Sequence, residues 1–246
     1  LSPEDLRAGK VDVAIMGASI DTSGGMRGCA WGPQAVRTGE RVVPWGELDL
    51  MAAAHPSVGD VDFTKILNVV DYGDARIDIL SPERSILGVH KMVKEIAETG
   101  AIPVIVGGDH SLMYPDVVAI TDVYGKGKVG VIHFDAHFDG IPLMFGHYLS
   151  HGAPVRRLID EGHINGKNFI QIGLNSAKPS GKDLEWMRKT GVRYHFMAEI
   201  DKKGWEIVMK EALAEALDGP EKIFITVDTD VLDPAYAPGM GTPEPG

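Results

Sequence analysis

Short apolar runs, rich in Val and Ile, recur at residues 11–16, 66–70, 102–106, 129–132, 169–174 and 223–227. Each has the length of a strand and little polar alternation, the pattern of a strand buried on both faces in a parallel sheet covered by helices. The intervening sequence supplies the helices. Ser81-Pro82-Glu83 makes a helix start, and Ile86, Val89, Val93, Ile96 and Ala97 follow at helical spacing until Gly100 stops the element. Trp205, Val208, Met209, Ala212, Leu213 and Ala216 form a second apolar stripe, ended by Gly219-Pro220 before the run at 223. This rhythm predicts one three-layer α/β/α domain over residues 1–246 with a mostly parallel sheet.

Three of the runs end in residues that carry chemistry. The run at 102 leads into Gly107-Gly108-Asp109-His110-Ser111, where glycines allow a tight turn. The run at 129 leads into His133-Phe134-Asp135-Ala136-His137-Phe138-Asp139, and the run at 223 into Asp228-Thr229-Asp230. If the strands continue, side chains two apart share a face, so Asp135, His137 and Asp139 point one way and Asp228 points with Asp230. Carboxylates crowded together repel and resist ionising. Divalent cations relieve that repulsion, and oxygen and imidazole donors without a thiolate suit manganese, nickel, cobalt or zinc. Singly, each fragment has a plainer reading: a histidine after a strand is commonly hydrogen-bonded structure, and an aspartate there commonly caps a turn. Together they sit where open α/β sheets bind ligands.

Composition narrows the setting. With 246 residues, 44% hydrophobic, the chain can bury one sizeable core. A formal charge of −11 argues against a phosphate-backbone partner, so no nucleic acid is expected. Cys29 is the single cysteine, which excludes an intrachain disulfide and favours a reducing cytoplasmic compartment. No apolar run reaches the roughly 18–20 residues of a membrane helix, so no membrane partner is expected.

The motifs, taken in order, resemble the ureohydrolase family of arginase and agmatinase. Gly17-Ala18-Ser19-Ile20-Asp21, Arg27-Gly28 and Gly32-Pro33-Gln34-Ala35-Val36-Arg37 are similar to its entry loop and first helix. Asp71-Tyr72-Gly73-Asp74 resembles its next strand-end motif, and Ser150-His151-Gly152 its proton-shuttle motif. The stretch from Asp228 through Asp233-Pro234 to Gly241-Thr242-Pro243-Glu244 is closest to the agmatinase branch. Gly24-Gly25-Met26-Arg27-Gly28 does not fit a dinucleotide-binding GxGxxG and is better explained by the entry loop.

This resemblance implies an arginase-like fold and a hydrolase that cleaves a guanidino C–N bond and releases urea. It implies one ion held by His110, Asp135, Asp139 and Asp228, and another by Asp135, His137, Asp228 and Asp230, with Asp135 and Asp228 bridging. Mn2+ is the family's commonest ion, and the same ligands accept Ni2+. Asp230 would also accept a hydrogen bond from the tetrahedral intermediate, and His151 would carry the proton to the departing nitrogen. The plainer reading of His151 is a cap on the helix at 154–159. His133 matches no family ligand and is expected in the core or behind the ligands; His147 is a further candidate near the substrate loop. The family assembles as trimers or hexamers, so a homo-oligomer, alone or with a related subunit, is the expected state.

Substrate identity depends on residues 140–149, where relatives read the substrate's tail. The stretch contains no Asp, Asn, Ser, Lys or Arg, so an amino-acid zwitterion would find its charges poorly satisfied. An agmatine-like, alkyl or methylated guanidine suits it, as does a guanidino acid whose charge is met elsewhere, or a biguanide. Packing of Leu143, Met144 and Phe145 into the core or against a neighbouring subunit is the alternative. Two other classes remain open: a metal-binding but non-catalytic partner subunit, and a one-zinc deacetylase, against which the six-ligand set argues. Leu1 in place of a methionine, and the end within 242–246, lead us to expect a chain clipped at both ends. An acidic residue beyond that point grips the guanidinium in the family, and Glu244, in the preceding motif, is not assigned that role.

Overall fold

The computed structural model describes residues 1–22, 26–39 and 66–246. Gly24 and Gly25 of the glycine-rich entry stretch lie outside the described residues. Among the described residues the strands are β1 (Val13–Ala18), β2 (Val69–Asp74), β3 (Ile102–Gly107), β4 (Val129–Phe134), β5 (Phe169–Leu174), β6 (Arg193–Phe196) and β7 (Lys222–Val227). All their pairings are parallel, in the orders β2-β1-β3 and β6-β5-β4-β7. The expected single sheet is thus two hydrogen-bonded sheets, because β3 and β7 are both edges and do not pair.

The helices are α1 (Pro3–Ala8), α2 (Gly32–Gly39), α3 (Pro82–Ala97), α4 (Met113–Tyr124), α5 (Pro154–Asp160), α6 (Gly181–Thr190), α7 (Met197–Lys203) and α8 (Trp205–Ala216). Ser81 caps α3 by accepting from the Arg84 amide at 3.2 Å, as its sequence start signal requires. Among the described residues, no helix is long and apolar enough to cross a membrane.

Burial on both faces explains the unalternating runs. In β4 and β5, Val129, Val131 and Phe169 join the main core with Val89, Val93, Val117 and Leu158 from α3, α4 and α5. Ile132, Ile170 and Ile172 face the other way, against Ala212 and Ala216 of α8. Helices therefore cover both faces of this sheet, the arrangement a three-layer α/β/α fold demands.

Three strands differ from the expected runs by two residues or more, and the one expected at 11–16 lies at Val13–Ala18. The expected strand at 66–70 lies at Val69–Asp74, because its register on β1 runs from Val13↔Val69 to Gly17↔Asp74. Asp71-Tyr72-Gly73-Asp74 is consequently part of the strand, and Arg37 of α2 holds its two carboxylates at 2.7 and 2.6 Å. β4 extends beyond the expected end at 132 to include His133 and Phe134, and stops before Asp135.

Gly130 marks the closest approach of α8 to β4: a Cβ there would meet the Ala216 carbonyl oxygen at 2.5 Å. Gly130→Ala should destabilise the protein by about 1–3 kcal/mol through overpacking. Gly239→Ala, where nothing lies within 4 Å, should be nearly neutral. Denaturant unfolding of the two variants would check the contrast.

Candidate metal centre

The site is assembled from turns that leave β3, β4 and β7 at their carboxyl ends. After β3, Gly108 lies tight against the Ala18 and Ile20 carbonyls, where a side chain would not fit. Asp109 then accepts from the Ser111 amide at 2.9 Å and from the Thr22 amide and hydroxyl. Asp109 is thereby a strut between two loops, and it delivers His110 to the site.

The turn after β4 does not continue the strand alternation. Asp135 donates its amide to the Ile172 carbonyl at 3.1 Å, and its Oδ1 accepts from the His137 amide at 2.6 Å, which bends the chain. Asp139 takes a left-handed backbone, φ +47, which aspartate tolerates better than most residues. A compact turn, not strand parity, therefore sets the directions of Asp135, His137 and Asp139. The same holds after β7, where Asp228 caps a 3-10 turn, Thr229–Val231, by accepting from the Asp230 amide at 3.2 Å. The plain reading of an aspartate as a cap is correct for Asp109 and Asp228 alike.

Two clusters result, with Asp135 common to both. His110 Nδ1 lies 2.9 Å from Asp135 Oδ2 and 3.2 Å from both Asp139 Oδ2 and Asp228 Oδ2. His137 Nδ1 lies 2.9 Å from Asp230 Oδ2 and 3.6 Å from Asp135 Oδ1. All six expected ligand residues are thus gathered at one place. Asp135 turns one oxygen to each cluster; Asp228 reaches His110.

Electrostatics show what the cluster needs. Burial lowers His110, but Asp135, Asp139 and Asp228 outweigh it and hold the imidazole well above its ordinary value. Hydrogen bonds from Asp135 and Asp230 raise His137 to about 11. Burial, then the Asp135 charge, pushes Asp139 up to about 8, and burial also raises Asp230. Imidazoles shifted up and carboxyls shifted up in one cluster both point to an excess of negative charge that calls for cations. The donor set of carboxylate oxygens and imidazole nitrogens fits hard or borderline divalent ions. Cys29 stands apart: burial and Asp21 push its thiol up to about 12, so it does not offer a thiolate.

His151 follows the buried Ser150, and its Nδ1 is buried without a hydrogen-bond partner. It does not cap α5, whose N-cap is Ala153 with no side-chain bond. Burial lowers its pKa, opposed by the charges of Asp109 and Asp228. His147 is exposed on the substrate loop. Three neighbours were missed in the sequence: Thr226 Oγ1 is 2.9 Å from His110 Nε2, Thr242 Oγ1 donates to Asp230 Oδ2 at 2.9 Å, and Glu244 Oε1 is 3.3 Å from His137 Nε2. Thr226 lies in β7 beside His133 of β4, its cross-strand partner, and the sequence carries no signal for that pairing.

Comparison with known proteins gives a consistent result. The family model of the Arginase family matches residues 11–246. A mitochondrial guanidino acid hydrolase of Homo sapiens is 33% identical over 99% of this chain and 64% of its own length. A mitochondrial agmatinase of Gallus gallus is 32% identical over 98% of this chain and 68% of its own length. The chain therefore spans about two thirds of the length of these curated relatives. Among solved structures, proclavaminate amidino hydrolase from Streptomyces clavuligerus superposes with a TM-score of 0.83 at 29% identity, over 96% of this chain and 74% of that one. Formiminoglutamase from Trypanosoma cruzi, solved with Mn2+, gives a TM-score of 0.80 at 25% identity, over 99% and 80%.

A ligand that binds only the folded state stabilises it, by about 2.7 kcal/mol at one hundred times its dissociation constant. Mn2+ should accordingly raise the melting temperature of chelator-stripped protein, and EDTA should reverse the gain. Asp135→Asn should lose most of that increment because Asp135 serves both clusters, whereas Asp139→Asn should lose only part. Differential scanning calorimetry with and without Mn2+ reads both.

Proposed function

The chain belongs to the arginase family, and from that membership and the geometry of the paired clusters we propose that it is a dinuclear-metal hydrolase that cleaves the amidino C–N bond of a guanidino compound and releases urea. The observation that carries the reading is the shared carboxylate of Asp135, one oxygen turned to each cluster. His110, Asp135, Asp139 and Asp228 would hold one ion, and Asp135, His137, Asp228 and Asp230 the other, with Mn2+ the first choice and Ni2+ chemically compatible. When bound, the two ions supply positive charge and activate water for attack on the guanidinium carbon.

The protein's own groups then manage protons and position. Water adds to the guanidinium carbon, the bond to the substituted nitrogen breaks, and that nitrogen must leave as an amine with a proton it did not have. Asp230, fixed by Thr242 and His137, accepts a hydrogen bond from the adduct. His151 carries the proton, since its Nδ1 has no hydrogen-bond partner and an imidazole nitrogen so placed can take up and release one.

An apolar loop supports the substrate class. Leu143, Phe145 and Tyr148 are exposed, so residues 143 and 145 do not fill the core. Met144 and His147 exchange backbone hydrogen bonds at 2.9 and 2.8 Å across a two-residue turn whose Phe145 has φ +50 and Gly146 φ +84. Left-handed backbone suits Gly146 and costs Phe145, so the aromatic ring is held outward at the tip against its own preference. The Met144 thioether reaches back to Gly152, next to His151. An alkyl or methylated guanidine, or agmatine, gains from such a wall; an α-amino acid finds no group there for its carboxylate.

His151→Asn should keep its metal content while turnover falls by roughly 10²- to 10⁴-fold, the scale of losing a positioned acid or base. Metal analysis beside steady-state kinetics separates that outcome from loss of a ligand.

Urea release from a guanidine panel, with Mn2+ and Ni2+ loaded separately, tests the reaction itself. Alkyl and methylated guanidines should exceed arginine in kcat/KM, with each buried methyl worth about 0.8 kcal/mol. Phe145→Ala should then reorder the substrates rather than scale them all equally. Equal kcat/KM for arginine and a chain-matched guanidine without the amino-acid head would contradict the substrate assignment.

A further inference from the structure

Behind Asp135 lies a buried polar pair that the reaction does not use. His133 of β4 and Gln171 of β5 are direct cross-strand partners, and both are fully buried. They lie on the face that Val131 and Phe169 give to the main core, and the His133 ring packs against Phe169 with centroids 5.7 Å apart. An imidazole and an amide in such surroundings persist only with hydrogen-bond partners.

Their hydrogen bonds define which atoms carry protons. Gln171 Nε2 lies 2.8 Å from the Phe138 carbonyl oxygen and 3.0 Å from His133 Nδ1. A carbonyl can only accept, so the amide nitrogen must face it and the side chain cannot be flipped. The second N–H of that nitrogen then points to His133 Nδ1, which must offer its lone pair. The imidazole proton therefore resides on Nε2, and Nε2 lies 2.8 Å from Asp135 Oδ2. That contact is one of charge and distance: His133 Nε2 is buried and makes no aligned hydrogen bond, and His110 Nδ1 lies 2.9 Å from the same oxygen.

Gln171 Oε1 meanwhile has no partner, although it is buried. An unpaired buried oxygen is costly, and an apolar residue of similar size would avoid the cost. The side chain's two N–H groups are what this position uses. His133 also falls within the cluster of His110, Asp135 and Asp139, but a nitrogen that bears a proton cannot ligate.

We infer that His133 and Gln171 are positioning residues: Gln171 fixes the Nε2–H tautomer of His133, which holds the carboxylate of Asp135 in the orientation that serves both clusters. The inference rests on the proposed metal centre. A small rotation of that carboxylate would misplace one oxygen from His110 and the other from His137 at once.

Calorimetric titration of the metal-stripped full chain with Mn2+ tests this. His133→Phe and Gln171→Leu should each weaken Mn2+ binding by about 10- to 100-fold, the range for losing a group that orients a ligand. His133→Gln, which keeps an N–H donor near the Nε2 position, should recover most of the loss. In the metal-free protein, histidine 15N spectra should show His133 as the Nε2–H tautomer and show that preference relaxed in Gln171→Leu, a readout that holds even if His133→Phe does not fold. Wild-type Mn2+ affinity in Gln171→Leu, an Nδ1–H tautomer in the wild type, or a His133→Gln as weak as His133→Phe would each overturn the inference. A wild type that binds no Mn2+ would overturn the metal centre itself and this inference with it.

Discussion

Mutual repulsion among Asp135, Asp139, Asp228 and Asp230 is the constraint on which the rest of the structure depends. Four carboxylates at the ends of two neighbouring strands can be brought together only where positive charge meets them, and the protein provides His110 and His137 at 2.9–3.6 Å for that purpose. A parallel sheet makes the gathering possible, since every strand delivers its loop to the same edge. Burial by helices on both faces supplies the low-dielectric surroundings that make the charge demand acute.

Much of this was legible in the sequence, for identifiable reasons. Residues 169–174 were delimited correctly because five of the six are apolar or glycine and all six are buried, so the single polar Gln171 does not break the run. All six candidate ligand residues converge although the reason first given for their convergence, strand alternation, does not hold beyond Phe134. Residue identity and order were sufficient to name the group; backbone direction was not, because Asp139 turns left-handed and Asp228 is a cap. Elements without an apolar signature escaped notice. β6 is a four-residue edge strand, and α6 buries only Asp183 and Met187. Glu244 and Thr242 were read as a motif, but their contacts with His137 and Asp230 depend on how the chain returns over the site.

Specificity and catalysis draw on parts of different rigidity. The groups that hold charge sit on turns anchored to strands, with Asp109 and Asp228 bracing their own loops. The residues proposed to meet the substrate's tail sit on a hairpin closed by two backbone hydrogen bonds, with an exposed aromatic residue at its tip. Such a division lets the loop change its chemistry without disturbing the clusters beneath it.

The sharing of one carboxylate has a thermodynamic corollary. Asp135 offers Oδ2 to His110 and Oδ1 to His137, so anything that captures the first oxygen alters the angle and charge presented by the second. Linkage makes that influence reciprocal: occupancy of either cluster changes affinity at the other by the same factor. On the proposed assignment the two positions would not fill as independent isotherms, and the half-loaded protein would be a distinct species whose population is set by a coupling energy carried through the shared carboxylates.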